Sequence, residues 1–330
     1  MKIWFPLLAV GTLALMAWVG AELLQWHALL GIIIPYSALV IFAIGFAYRV
    51  ILWGRSAVPF RITTTCGQQK TLPWIKQDRL ENPSTYLGVI GRMLLEVFLF
   101  RSLFRNAKTE KQGSRLGFGS AKWLWLGGLA FHWSLLIILL RHLRLFLEPV
   151  PAGIQILDAG DAFFQIGIPL LYLTDIIVVC ALSYLFLRRV VVARIRYISL
   201  PADYFALFLL LGVVVTGILM RYWFKVDMFA VKEMTLGLAS LHPTVADGVG
   251  SVFYIHLFLV SVLFAYFPWS KLMHAGGVFL SPTRNLANNS RAVRHENPWN
   301  YPVTVHSYAE YEDEFREKME KVGLPLERSE

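Results

Sequence analysis

Two long apolar stretches each carry a pair of histidines, and nothing else in the chain constrains it as strongly. Lys122–Leu145 reads KWLWLGGLAFHWSLLIILLRHLRL, apolar enough to cross a bilayer, yet it holds His132 and His142. Residues 248–277 hold His256 and His274. An imidazole in hydrocarbon costs free energy unless it has a partner or a function, and histidine is a common metal ligand. Two histidines on each of two membrane helices predict two metals stacked across the membrane. An iron porphyrin suits this best, because it takes one axial imidazole from each side and needs a greasy cleft for its ring. The competing reading is that some of these histidines hydrogen-bond in the core or sit in the headgroup layer.

Helix geometry adds a condition. At ~1.5 Å per residue, His132 and His142 lie about 15 Å apart along their helix, and His256 and His274 about 27 Å apart. Antiparallel helices pair His142 with His256 near one face and His132 with His274 near the other. The unequal separations call for tilt or a break, and Pro268 is the expected break.

Composition places the whole chain in the membrane. Of 330 residues, 56% are hydrophobic and 16% charged, and the mean hydropathy is +0.54. This excludes a soluble protein with a large core and predicts an all-α integral membrane protein. A net charge of +9 would suggest nucleic acid, but the charges crowd into loops on one side, so a lipid bilayer and no nucleic acid is expected as the partner. Cys66 and Cys180 lie in a polar loop and an apolar span and make no disulfide scaffold. With no CxxC set, any iron–sulfur cluster belongs to a partner.

Six spans are expected, at residues 3–24, 28–53, 122–145, 163–187, 201–223 and 249–268. The first has a long apolar core and is followed at once by another, so it reads as a span and not a cleaved leader. Pro35 and Tyr36 are expected to bend the second. Asp175 lies inside the fourth, either as a functional carboxylate or hydrogen-bonded to a neighbouring helix. Residues 54–121 form a basic polar region. Within it, residues 86–105 read as one helix capped by Ser84 or Thr85. That helix is apolar but carries Arg92, Glu96, Arg101 and Arg105, which suits an interfacial helix; a seventh crossing is the alternative. Counting Lys and Arg puts Lys2, the basic region, Arg188 to Arg196 and the tail on the cytoplasmic side. Only Arg141, Arg144, Arg221, Lys225 and Lys232 lie outside. Both termini are then cytoplasmic in a multi-pass inner-membrane protein, with His142 and His256 near the external face.

The expected organisation is a two-helix hairpin (1–53), a cytoplasmic loop with its interfacial helix (54–121), a four-helix di-haem domain (122–280) and a cytoplasmic tail (281–330). In the tail, residues 308–322 form a candidate amphipathic helix with Tyr311, Phe315, Met319 and Val322 on one stripe, either docking on a partner or loosely solvated. His27 beside Trp26 reads as interfacial, His295 and His306 as surface residues, and Gly276 and Gly277 as a helix end. The sequence shows no internal repeat, phosphate loop or hydrolytic triad. A transporter or purely structural anchor is the rival class, and the inverted repeats and paired broken helices common in transporters are not visible.

Two histidines ten apart on one helix and two eighteen apart on a later one resemble the membrane cytochrome b family of the respiratory nitrate reductase gamma subunit. The segments CGQQKTLPWIKQDRLENP, GRMLLEVFLFRSLFRNAK and HENPWNYPV resemble one branch of it, DsrM, the cytochrome b subunit of the membrane complex associated with dissimilatory sulfite reduction. The resemblance implies two haems b, with His142 and His256 on the outer one and His132 and His274 on the cytoplasmic one, and menaquinone or menaquinol as substrate. It also implies partners: a heterodisulfide-reductase-like iron–sulfur subunit, a multihaem cytochrome c, a ferredoxin-like iron–sulfur subunit and a polytopic quinone-interacting membrane subunit. Electrons could run from menaquinol inward or, in the same complex, toward menaquinone. Nitrate-reductase cytochromes carry a quinol-holding lysine after the first histidine helix. Here no Lys or Arg lies between Arg144 and Arg188, so Glu148, Asp158, Asp161, Tyr222 and Lys225 stand as local candidates for the quinol vicinity.

Overall fold

The long helices are apolar all round, as befits helices whose surrounding solvent is lipid. The computed structural model describes residues 2–56, 67–163, 169–245, 248–281, 284–289 and 306–327. Cys66, His295 and the HENPWNYPV segment lie outside them. Helix α1 (Trp4–Trp18) continues through a π-helical turn, Val19–Leu23, and a second π turn, Leu29–Ile33, leads into α2 (Ile34–Gly54). Pro35 falls just where the π turn passes into α2, inside a helix that runs on from Leu29 to Gly54.

The expected helix at 86–105 is two helices. Helix α3 (Tyr86–Leu99) starts at Thr85, whose Oγ1 accepts from Gly88 N at 3.2 Å, and α4 (Arg101–Arg105) follows a break at Phe100, φ +48°. The α3 stripe is inside out. Arg92 and Glu96 are buried, while Leu87, Ile90 and Leu94 are exposed. Buried beneath it, Glu96 accepts from Ser102 N at 3.2 Å, and Glu81 pairs with Arg101 at 3.1 Å and with Arg105. Polar groups turned inward and apolar groups turned outward suit a helix lying in a bilayer surface. Fourteen residues reach only about 21 Å, short of a hydrocarbon core of about 30 Å. After α4 comes an antiparallel hairpin, β1 (Ala107–Gln112) and β2 (Arg115–Ser120), in register Ala107↔Ser120 and Gln112↔Arg115. Sequence reasoning read this stretch as loop, because KTEKQGSRLGFGS has no apolar alternation.

Next come α5 (Lys122–His142), α6 (Ala152–Asp161), α7 (Leu173–Val191), α8 (Ala193–Ile198) and α9 (Pro201–Leu219) with a π turn at Met220–Phe224. They are followed by α10 (Met228–Ala239), α11 (Ser251–Tyr266), α12 (His274–Leu280) and, in the tail, α13 (Tyr308–Lys321). The all-α membrane class holds. Among the described residues, five helices are long and apolar enough to cross a membrane: Trp4–Leu23, Leu29–Gly54, Lys122–Leu145, Pro201–Phe224 and Ser251–Trp269.

The expected fourth span needs correcting. Helix α7 begins at Leu173, ten residues later than expected; residues 164–168 lie outside the description. Pro169 interrupts the apolar run, and Asp161 supplies the N-terminal acceptor, taking the Thr174 N–H at 2.8 Å. Charges at Asp175, Arg188 and Arg189 make α7 less apolar than the other five. It nevertheless packs along α5. Tyr184 lies against Gly127 and Thr174 bonds Arg141, so the two helices run antiparallel. The contact at Gly127 is tight enough to require glycine: a Cβ there would lie 2.5 Å from Tyr184 Cδ1. Close backbone approach of this kind replaces the hydrophobic effect as glue between helices in lipid.

Packing continues from α7 to α9, from α9 to α11, from α1 onto α9 and α11, and from α2 onto α11. Its buried centres are Phe131, Val178, Leu182 and Leu210 on one side and Val10, Tyr204, Leu209 and Leu259 on the other. Helices α5 and α11 make no comparable contact, so the ring of four is open between the two histidine helices. Two smaller expectations fail. Gly276 and Gly277 lie inside α12, facing Phe46 and Trp53, and do not end a helix. In α13, the Tyr311 and Phe315 rings meet at 4.8 Å, tilted at 43°, and Met319 is buried, but Val322 is exposed and it is Glu312 that is fully buried, bonded to Arg316 and to Glu327 N.

Candidate haem and quinol site

Helix α5 is unbroken, so His132 and His142 sit where periodicity puts them. On the facing side the chain breaks as the spacing demanded. Helix α11 ends in a 3₁₀ turn at Phe267–Trp269 containing Pro268, Ser270 is extended, a second 3₁₀ turn runs Lys271–Met273, and His274 opens α12. This brings the rings of His132 and His274 to 6.0 Å between centres, with planes at 88°. Two imidazoles each bonded to one metal at about 2.0–2.1 Å have centres about 6 Å apart.

All four candidate rings are oriented the same way. Nδ1 lies 2.7 Å from Gly128 O in His132, 2.7 Å from Ile138 O in His142, 3.1 Å from Val213 O in His256 and 2.8 Å from Lys271 O in His274. A carbonyl can only accept, so each Nδ1 carries the proton and each Nε2 keeps its lone pair for a metal. His27 is turned otherwise. Its Nε2 meets Ala21 O at 3.0 Å and its ring stacks on Tyr254 at 4.8 Å, which makes it a packing residue. The His132, His142 and His274 residues are exposed along their helices. Phe100 and Phe131 edge onto His132 at 5.0 and 4.9 Å. Four imidazoles with Nδ1 on a carbonyl, an open seam between α5 and α11 and the phenylalanine rings beside His132 fit a porphyrin iron.

Residues 89–296 match the nitrate reductase gamma subunit family. The chain belongs to that family. Among its relatives is the Hdr-like menaquinol oxidoreductase cytochrome b-like subunit of Archaeoglobus fulgidus, 49% identical over 276 residues that cover 82% of each chain. The protein of the same name from Archaeoglobus profundus is 40% identical over 275 residues, covering 81% of each.

In this family member the candidate quinol residues do not form one group. Glu148 pairs with Lys232 and is largely exposed. Lys225 is an exposed, left-handed residue that ends the π turn after α9. Asp161 is buried: it takes Thr174 N, Thr174 Oγ1 and an Arg141 Nη1 ion pair. Its two contacts from Thr174, at the start of α7, and its ion pair make it a structural cap. Tyr222 is placed differently. The π turn Met220–Phe224 aims its hydroxyl at Asp175 Oδ2, 2.9 Å away, while Tyr172 N donates to the Tyr222 hydroxyl oxygen at 3.1 Å. Asp175 thus has its neighbouring-helix hydrogen bond.

Of the candidates Asp158 is tied into this end, and sequence reasoning missed Tyr172 and the two arginines on its ring, Arg141 and Arg221. The Tyr172 ring is sandwiched between Arg141, 3.2 Å from its centre, and Arg221, at 3.8 Å. Asp158 joins Arg141 Nε and Arg144 Nη1, each at 3.0 Å. Burial alone would raise the Asp158 pKa; hydrogen bonds from Tyr172 and Arg141 and the charges of Arg144 and Arg141 outweigh it and hold the carboxyl below its ordinary value. A cavity of about 350 Å³ opens here, walled by Arg144, Ile154, Gln155, Asp158, Leu170 and Tyr172. An arginine one residue before His142 near the end of an apolar span was the available signal.

Proposed function

We propose that this chain is a di-haem cytochrome b that oxidises menaquinol and passes the electrons across the membrane to a cytoplasmic heterodisulfide-reductase-like iron–sulfur partner, as in the DsrM branch. The carrying observation is the set of four imidazoles, each with Nδ1 held by a backbone carbonyl and Nε2 free, of which His132 and His274 meet at 6.0 Å. When bound, haem supplies one-electron chemistry at two depths; this chain supplies ligation, a dry path and redox tuning. His142 and His256 would hold the outer haem, His132 and His274 the cytoplasmic one. The names of the Archaeoglobus relatives support both the menaquinol and the multi-subunit complex.

The quinol headgroup enters the cavity beside Asp158 and Tyr172. Its volume suits a small bicyclic ring with the start of an isoprenoid tail. Asp158, kept ionised by Arg141 and Arg144, accepts a hydroxyl hydrogen bond, and proton release falls on the outer side. At the other face, Lys70, Lys76 and Arg79 surround a hollow of about 770 Å³ next to the exposed Trp74, and this basic loop receives the iron–sulfur subunit. The multihaem cytochrome c, the ferredoxin-like subunit and the polytopic quinone-interacting subunit complete the assembly. The purified protein should show a b-type absorption spectrum with two haems per chain, and a menaquinone analogue should perturb the outer haem. A colourless preparation from a haem-replete host refutes the haem reading; a perturbation confined to the cytoplasmic haem refutes the quinol placement.

A further inference from the structure

Three of the four histidines spend Nδ1 on a carbonyl within their own segment: Gly128 four residues before His132, Ile138 four before His142, and Lys271 three before His274. His256 alone reaches to another helix. Its Nδ1 lies 3.1 Å from Val213 O and 3.0 Å from Thr216 Oγ1, both on α9. The Thr216 hydroxyl itself lies 2.8 Å from Gly212 O and 3.0 Å from Val213 O, the usual back-bond of a threonine in a helix. A hydroxyl has one proton, and Thr216 spends it on these carbonyls. The oxygen therefore turns a lone pair to His256, and the His256 Nδ1–H has two acceptors where each of the other rings has one. Gly217 borders the contact, where a Cβ would meet His256 Cε1 at 3.5 Å and Nδ1 at 3.8 Å, ordinary van der Waals distances.

We propose that Thr216 is a positioning residue for the His256 ligand and sets the potential of the outer haem apart from that of the inner one. The inference rests on the di-haem reading above. An acceptor on Nδ1–H makes the imidazole a stronger electron donor through Nε2, which favours the oxidised metal and lowers its potential. Removing one of two acceptors therefore raises it. The site also couples two elements, because the same bond ties α11 to α9 at the level of the ligand and fixes the ring plane.

The test compares Thr216→Val with Thr216→Ser in the full-length protein. Haem is counted by its absorption after extraction, and both potentials are read by optical redox titration. The outer haem is identified by its loss in His142→Ala. Thr216→Val is expected to keep two haems and to raise the outer potential by a shift on the order of tenfold in the oxidised-to-reduced ratio, about 59 mV for one electron. The inner potential stays fixed, and Thr216→Ser restores the outer one. Loss of the outer haem from Thr216→Val but not from Thr216→Ser supports the same role for the hydroxyl. Unmoved potentials in Thr216→Val, an equal shift in Thr216→Ser, or loss of haem from both overturn it. A wild-type protein without haem would instead overturn the di-haem reading, which is a distinguishable result.

Discussion

Arg141→Met tests the account of the outer end most directly. The Arg141 side chain is 12% exposed and its partner Asp161 is 3% exposed. The guanidinium also binds Asp158 at 3.0 Å and covers the Tyr172 ring at 3.2 Å. Methionine keeps the length and apolar stem but leaves Asp161 as a buried carboxylate without a countercharge. Breaking a buried pair from one side costs about 3–5 kcal/mol. The lower half of that range is expected here, because Asp161 keeps both hydrogen bonds from Thr174 and Asp158 keeps Arg144. Adding Asp161→Asn removes the orphaned charge, and the double variant should recover about 2 kcal/mol relative to Arg141→Met. Unfolding in mixed micelles of rising SDS fraction measures all four members of the cycle. An Arg141→Met variant within about 0.5 kcal/mol of wild type, or a double variant no more stable than Arg141→Met, would refute the claim that Asp161 is a structural cap held by Arg141.

Other outcomes follow from the same geometry. Substituting either His132 or His274 by alanine should remove one and the same haem, and His142 or His256 the other; loss of different haems from His132→Ala and His274→Ala would contradict the pairing. Asp158 has a folded-state pKa below its unfolded value, so the stability it contributes is present above about pH 3.9 and disappears as pH falls through the folded value. Thermal unfolding below pH 4 should therefore be less pH-dependent in Asp158→Asn than in wild type, and parallel curves would sink the assignment. Gly127→Ala places a Cβ 2.5 Å from the Tyr184 ring and should cost about 1–3 kcal/mol by overpacking, with Tyr184→Ala largely restoring stability; a neutral Gly127→Ala would mean that α5 and α7 are not in close contact.

Some of this was readable from residue order alone. Apolar length fixes a transmembrane helix, because in lipid the backbone must satisfy its own hydrogen bonds, so the spans at α1, α2, α5, α9 and α11 followed from composition. The four histidines stood out because imidazoles are rare and costly in such segments, and Pro268 marked the break that their unequal spacing required. The start of α7 was not legible. It depends on Asp161, twelve residues earlier, folding back to accept from Thr174. Nor were Thr216, Tyr172 and the proton position on each imidazole, since hydrogen bonds between helices have no local periodicity to betray them. The chain order specified which groups enter the membrane and roughly how deep. Only the packing of α9 against α11, and the gap left between α11 and α5, decided which atoms of those groups face each other. Side-chain direction is set by neighbours distant in sequence, and a one-dimensional pattern carries depth but not azimuth.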